Sequence, residues 1–89
     1  MDDYRNLDGE RVVAMRLSPE LVTVVSVWAG AIIVEEIDPI TGVRYPALNV
    51  QCGDEVKRAS LDDYVIKKED GSFDVNRPNQ FIRHHHLLD

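Results

Sequence analysis

The chain has one cysteine, Cys52, among 89 residues, and an internal disulfide is therefore excluded. A lone thiol fits a reducing compartment, and its ordinary role is that of a small packed side chain. Aromatics are also scarce, with one Trp, three Tyr and two Phe. No long apolar run is present. The longest uncharged stretch, Leu21 to Val34, is diluted by Thr23, Ser26 and Gly30, whereas a bilayer span needs about 20 predominantly apolar residues. The first residues, Met1-Asp-Asp-Tyr-Arg-Asn, lack the basic start and apolar core of a signal peptide. The expectation is a cytoplasmic protein with no membrane partner. Basic residues number 10 against 16 acidic, for a net charge of −6. Phosphate binding rests on Lys and Arg, so this balance argues against a general nucleic-acid binder.

What remains is ordinary globular composition, 44% apolar, in a length that fits one domain over 1–89. Residues 1–10 are polar and 84–89 form a histidine-rich tail, so both are expected to be flexible ends. Arg11 to Leu17 reads as a first strand, with Val12 and Val13 supplying β-branched bulk. Ser18-Pro19-Glu20 reads as a helix start, with Ser18 as N-cap. Leu21, Val24, Val25 and Trp28 follow at helical spacing, and Gly30 stands at the C-terminal position.

From Ala31 on, short apolar groups alternate with turn signals. Ala31–Ile37 and Tyr45–Gln51 form the arms of a hairpin around Asp38-Pro39-Ile40-Thr41-Gly42. Pro46 belongs at a strand start or edge. Glu55–Ala59, Tyr64–Lys67 and Ser72–Val75 follow as strands, the last two joined by an Asp-Gly turn. Gln80–His84 is a last strand candidate. The expected fold is α+β: a small twisted antiparallel sheet of about five to seven short strands, with one helix packed on a face.

Catalytic constellations are absent. There is no Ser-His-Asp order, phosphate-cradling glycine loop or Cys-x-x-Cys pair. Glu35-Glu36 and Asp62-Asp63 are neighbours, and neighbours on a strand face opposite ways. His84, His85 and His86 alternate likewise, and Cys52 and Asp89 supply no zinc-ligand spacing. No metal, cofactor or enzymatic activity is expected. One mixed cluster remains. Arg44, Tyr45, Arg58, Tyr64, Lys67 and Arg77, with Lys57 and Phe81 beside them, combine cations with aromatic faces. Such groups anchor protein contacts or clamp an anion beside a ring. The plainer alternative is aromatic core with basic stems lying over it.

The same residues carry a resemblance. Tyr4-Arg5, Val12-Val13-Ala14-Met15, Trp28-Ala29-Gly30, Arg44 to Asn49, Arg58-Ala59-Ser60, Asp63-Tyr64-Val65-Ile66-Lys67, Gly71-Ser72-Phe73, Arg77-Pro78 and Phe81 recur in order. In this the chain resembles a family of small tailed-bacteriophage accessory proteins over nearly its whole length. Asp62 stands where that family usually has Gly. The resemblance implies an intracellular accessory role; taken with the small size, the acidic charge and the absence of catalytic constellations, the expected function is non-enzymatic binding of a host protein, such as a defence or host-takeover factor, in the host cytoplasm. Two other roles are an oligomeric binder of a nucleotide-type signal and a virion or assembly component. A homodimer is expected in addition, because Ala31–Ile37 is apolar enough to need cover.

Overall fold

A computed structural model describes residues 2–87. Met1, Leu88 and Asp89 lie outside the described residues, and with them part of each expected end and one of the candidate ligands. The chain runs β1 (Asp2–Asn6), β2 (Arg11–Arg16), α1 (Val22–Ala29), β3 (Ile32–Ile37), β4 (Arg44–Cys52), β5 (Glu55–Ala59), β6 (Tyr64–Lys67), β7 (Phe73–Asn76), α2 (Pro78–His84) and β8 (His85–Leu87). The α+β class is as the sequence indicates. The strands, however, divide into two antiparallel sheets, ordered β7-β6-β2-β1-β8 and β3-β4-β5, and a second helix joins the first.

The division follows from alternation along the strands. Met15 and Leu17 leave one face of the large sheet, with Val65. They pack with Val25 of α1 and with Leu48, Val50 and Ala59 of the small sheet. Val12 and Ala14 leave the other face, with Ile66, and meet Phe81 of α2. The large sheet is thus covered on both sides. The small sheet covers only one of its own.

α1 begins later than its sequence signals suggest. Ser18 accepts a turn bond from the Leu21 N–H at 3.1 Å, and Leu21, without a side-chain cap bond, is the N-cap. The buried stripe shifts accordingly. Val22, Val25, Trp28 and Ala29 pack on the core, while Leu21 and Val24, expected on that stripe, are exposed. The contact face is displaced by one position from the expected stripe. Gly30 ends the helix at φ +61, the left-handed conformation that glycine adopts without a Cβ penalty.

α2 replaces the strand expected over Gln80–His84. Asn76-Arg77-Pro78-Asn79 reads as a breaker, yet proline is at home in the first helical turn. Arg77 is extended, as a residue before proline prefers, and its carbonyl accepts the Phe81 N–H at 2.9 Å. Residues 2–6 and 85–87, parts of the expected flexible ends, form β1 and β8 and pair with each other, Tyr4 opposite Leu87 and Asn6 opposite His85. The tie is aromatic. Phe81 lies between Tyr64 (centroids 3.9 Å, nearly parallel) and His85 (4.3 Å), with Tyr4 edge-on at 4.7 Å.

Candidate functional site

The six residues singled out by sequence are distributed over the molecule. Tyr64 belongs to the Phe81 stack, on the face of the large sheet turned away from the small one. Lys67, one strand position from Ile66, leaves the other face and sits 5.9 Å over the Phe73 ring. Arg44 and Tyr45 begin β4, opposite Ile37 and Glu36. Arg58 and Arg77 do meet: with Lys57, Val75 and Gln80 they line an open groove of about 270 Å³.

The cations of that groove are held by carboxylates of the same chain. Lys57 Nζ lies 2.6 Å from Asp74 Oδ1. That hydrogen bond, the largest influence, raises the Lys57 pKa above its ordinary value. Arg58 donates to Asn49 Oδ1 at 2.7 Å and to Glu36 at 3.5 Å. Arg77 donates to Asp63, a carboxylate only 3% exposed that also accepts the Ser60 N–H at 2.9 Å. Arg77 thus satisfies a buried charge that would otherwise be costly. The groove is smaller than the roughly 300 Å³ at which small-ligand pockets begin.

The other chemical candidates sit in partly buried surroundings. Burial, followed by the nearby Asp74 charge, pushes the Cys52 thiol up, which keeps it protonated and poorly nucleophilic. His85 places Nδ1 3.1 Å from Phe81 O. Desolvation lowers its pKa. Among the described residues, no three His, Cys, Asp or Glu side chains converge as metal ligands. No helix among them is long and apolar enough to cross a membrane.

A different surface stands out. Of the twelve large hydrophobics left exposed among the described residues, nine fall between Leu21 and Tyr45; the other three are Leu7, Val56 and Ile82. The strand registers sort part of this set. Leu48 and Val50, on the core side of β4, face Ile33 and Lys57 on the neighbouring strands. The other side of the small sheet therefore carries Ile32, Val34 and Glu36 of β3, Tyr45, Ala47, Asn49 and Gln51 of β4, and Val56 and Arg58 of β5, with Ala47 buried at its middle. Ile32, Tyr45 and Val56 there are 69%, 41% and 60% exposed. Sequence reasoning found Tyr45 and Arg58 of this face but not Ile32 and Val56. The available signal was that β3 carries β-branched residues at successive positions, Ile32, Ile33 and Val34, and so on both faces, in a chain too short to cover both.

The hairpin beyond this face is a two-stranded ribbon. β5 pairs with β4 only from Leu48 to Cys52, whereas β3 pairs with it from Arg44. Pro46 lacks the N–H that a longer β5 would need. At the tip Asp38 Oδ1 accepts the Ile40 and Thr41 N–H groups, which leaves the Ile40 side chain 94% exposed.

No protein-family model matches the chain, and no curated protein or solved structure is similar to it.

Proposed function

We propose that this protein is a non-enzymatic binding module that engages another protein through the outer side of the β3-β4-β5 sheet. The observation that supports this reading is the uncovered face bearing Ile32, Tyr45 and Val56, with Arg58 among them. An antiparallel sheet commonly leaves one side to water, but that side is then polar. Exposed aliphatics around an aromatic and an arginine instead match the composition of protein-contact anchors. The resemblance to phage accessory proteins directs the search for the partner to the proteins of a bacterial host. The nucleotide-binding alternative has less support, because Lys57, Arg58 and Arg77 already hold Asp74, Glu36 and Asp63.

The test is affinity capture from host lysate with the wild type and with Tyr45→Ala and Val56→Asp in parallel. A single stoichiometric protein retained by the wild type and lost by both variants is the expected outcome. Both variants should melt within about 0.5 kcal/mol of the wild type, as exposed substitutions usually do. Capture unaffected by either substitution would remove this face from consideration.

A further inference from the structure

The free edge of β3 is a second unsatisfied feature of the same sheet. Among the described residues β3 has a neighbour, β4, on one side only. At the end of the hairpin the Asp38 N–H donates to Val43 O at 2.9 Å, and antiparallel pairs alternate between bonded and non-bonded positions. With Ile37 opposite Arg44 and Ile32 opposite Asn49, that alternation turns the backbone of Ile32, Val34 and Glu36 toward β4. The N–H and C=O groups of Ile33, Glu35 and Ile37 then point to the free edge. Pro46 agrees with this phase, since it stands opposite Glu35, where no bond to β3 is made.

We infer that β3 pairs antiparallel with β3 of a second copy about a two-fold axis at Val34, joining two three-stranded sheets into one of six strands. The register follows by elimination. An axis at Glu35 sets that carboxylate against the partner's Glu35, and like charges directly opposite are destabilising. An axis at Ile33 leaves a single fully bonded pair, Ile33 with its own copy, where an axis at Val34 leaves two, because the outer pairs of either register call on Ala31. The Ala31 N–H is already given to Ser26 O at 2.9 Å, and its carbonyl accepts the Ser26 hydroxyl at 2.9 Å. With the axis at Val34, Ile33 and the partner's Glu35 exchange backbone bonds, and the symmetric pair does the same. Val34 meets the partner's Val34. Glu35 and Glu36 keep their own arginines, Arg44 at 3.3 Å and Arg58 at 3.5 Å, so no carboxylate is stranded.

A second observation agrees. In this register the partner's Ile37 lies opposite Ala31, and the partner's hairpin tip continues past Gly30 along the end of α1. The tip carries Ile40 and the end of α1 carries Val27, at 94% and 79% the two most exposed large hydrophobics among the described residues. Isologous pairing of this kind closes after two copies, which converts an edge prone to open-ended association into a finished dimer.

The inference deepens the reading of this sheet as a binding surface: the edge takes a second copy, and the outer face, now continuous across the dimer, stays free for the other partner. Light scattering of the wild-type chain at high micromolar concentration should give twice the monomer mass. Non-hydrogen-bonded cross-strand Cα atoms lie about 4.5 Å apart, within disulfide reach. Val34→Cys in a Cys52→Ser background should therefore cross-link under mild oxidation. Ile32→Cys in the same background should not, because four residue steps of about 3.4 Å separate the two copies of that position. A monomeric wild type without Val34→Cys cross-linking overturns the dimer. Cross-linking through Ile32→Cys instead of Val34→Cys overturns the register. Both readouts are independent of lysate capture, so loss of the partner reading would leave them unchanged, and the reverse.

Discussion

The two ends of this molecule use the same residue types for opposite purposes. Around Phe81, strands β1, β2, β6 and β8 and helix α2 enclose an aromatic stack, with Leu7 and Ile82 the large hydrophobics left exposed there among the described residues. Around Ile40, α1 and the β3–β4 ribbon expose as many aliphatics as the rest of the chain hides. A chain of this size buries only about 60–65% of its unfolded surface, so its apolar residues cannot all be covered internally. The covered end supplies burial that the open end, with its exposed aliphatics, does not. This contrast separates the two classes of substitution that follow.

The largest effect is expected at the covered end. Phe81 touches Tyr4, Tyr64 and His85 and is 3% exposed. Phe81→Ala should cost about 3–5 kcal/mol, against a total near 0.05–0.15 kcal/mol per residue, and chemical denaturation should show it partly unfolded in water. A loss below about 1 kcal/mol would mean that the stack does not tie the ends together.

Trp28 marks the boundary between the two regions. It is half-buried, packs on the core and meets Phe73 edge-on at 5.3 Å. Trp28→Ala should cost about 3 kcal/mol, at the low end for a large aromatic. An unshifted melting curve together with lost partner capture would move Trp28 to the open surface.

His85 gives the covered end a pH response. Its folded pKa lies below the ordinary value, chiefly because Phe81 and its neighbours desolvate it. The unfolded chain then binds the proton more readily, and stability falls as pH drops through about 6.5 toward the folded value. Denaturation midpoints between pH 7.5 and 5 should therefore decline, and His85→Gln should flatten that decline. An equal decline in the variant would place the proton elsewhere.

The smallest effect concerns Asp62, the one non-glycine residue among those described with positive φ, at +77. Left-handed backbone costs an ordinary residue about 1–2 kcal/mol. The exposed ion pair to Arg16 at 2.8 Å returns less than about 1 kcal/mol. Asp62→Gly should therefore be neutral to about 1 kcal/mol stabilising by thermal unfolding, and clear destabilisation would show that the ion pair outweighs the strain.

Much of the architecture was legible in residue order. The turn at Gly30, the hairpin around Pro39-Ile40-Thr41-Gly42, the Asp-Gly turn before Ser72 and the β-branched strands are local signals, each set by backbone sterics within a few residues. α2 was readable as well, since Pro78 fits a first helical turn, but the short Phe81–His84 run fits a strand equally. What local patterning leaves open is which face of a strand finds cover. Leu21 and Val25 are equally apolar, and Ile32 and Val50 have the same preference for strand. Only the packing of α1 and the two sheets decides that Val25 and Val50 are buried while Leu21 and Ile32 face water. The same holds for the basic cluster: the sequence determined which cations the chain carries, and the tertiary structure gave Arg77 to Asp63, Lys57 to Asp74 and Arg58 to Glu36. Those pairings join residues 14 to 22 positions apart. At such separations a side chain's partner depends on how strands cross and stack, which no local preference encodes.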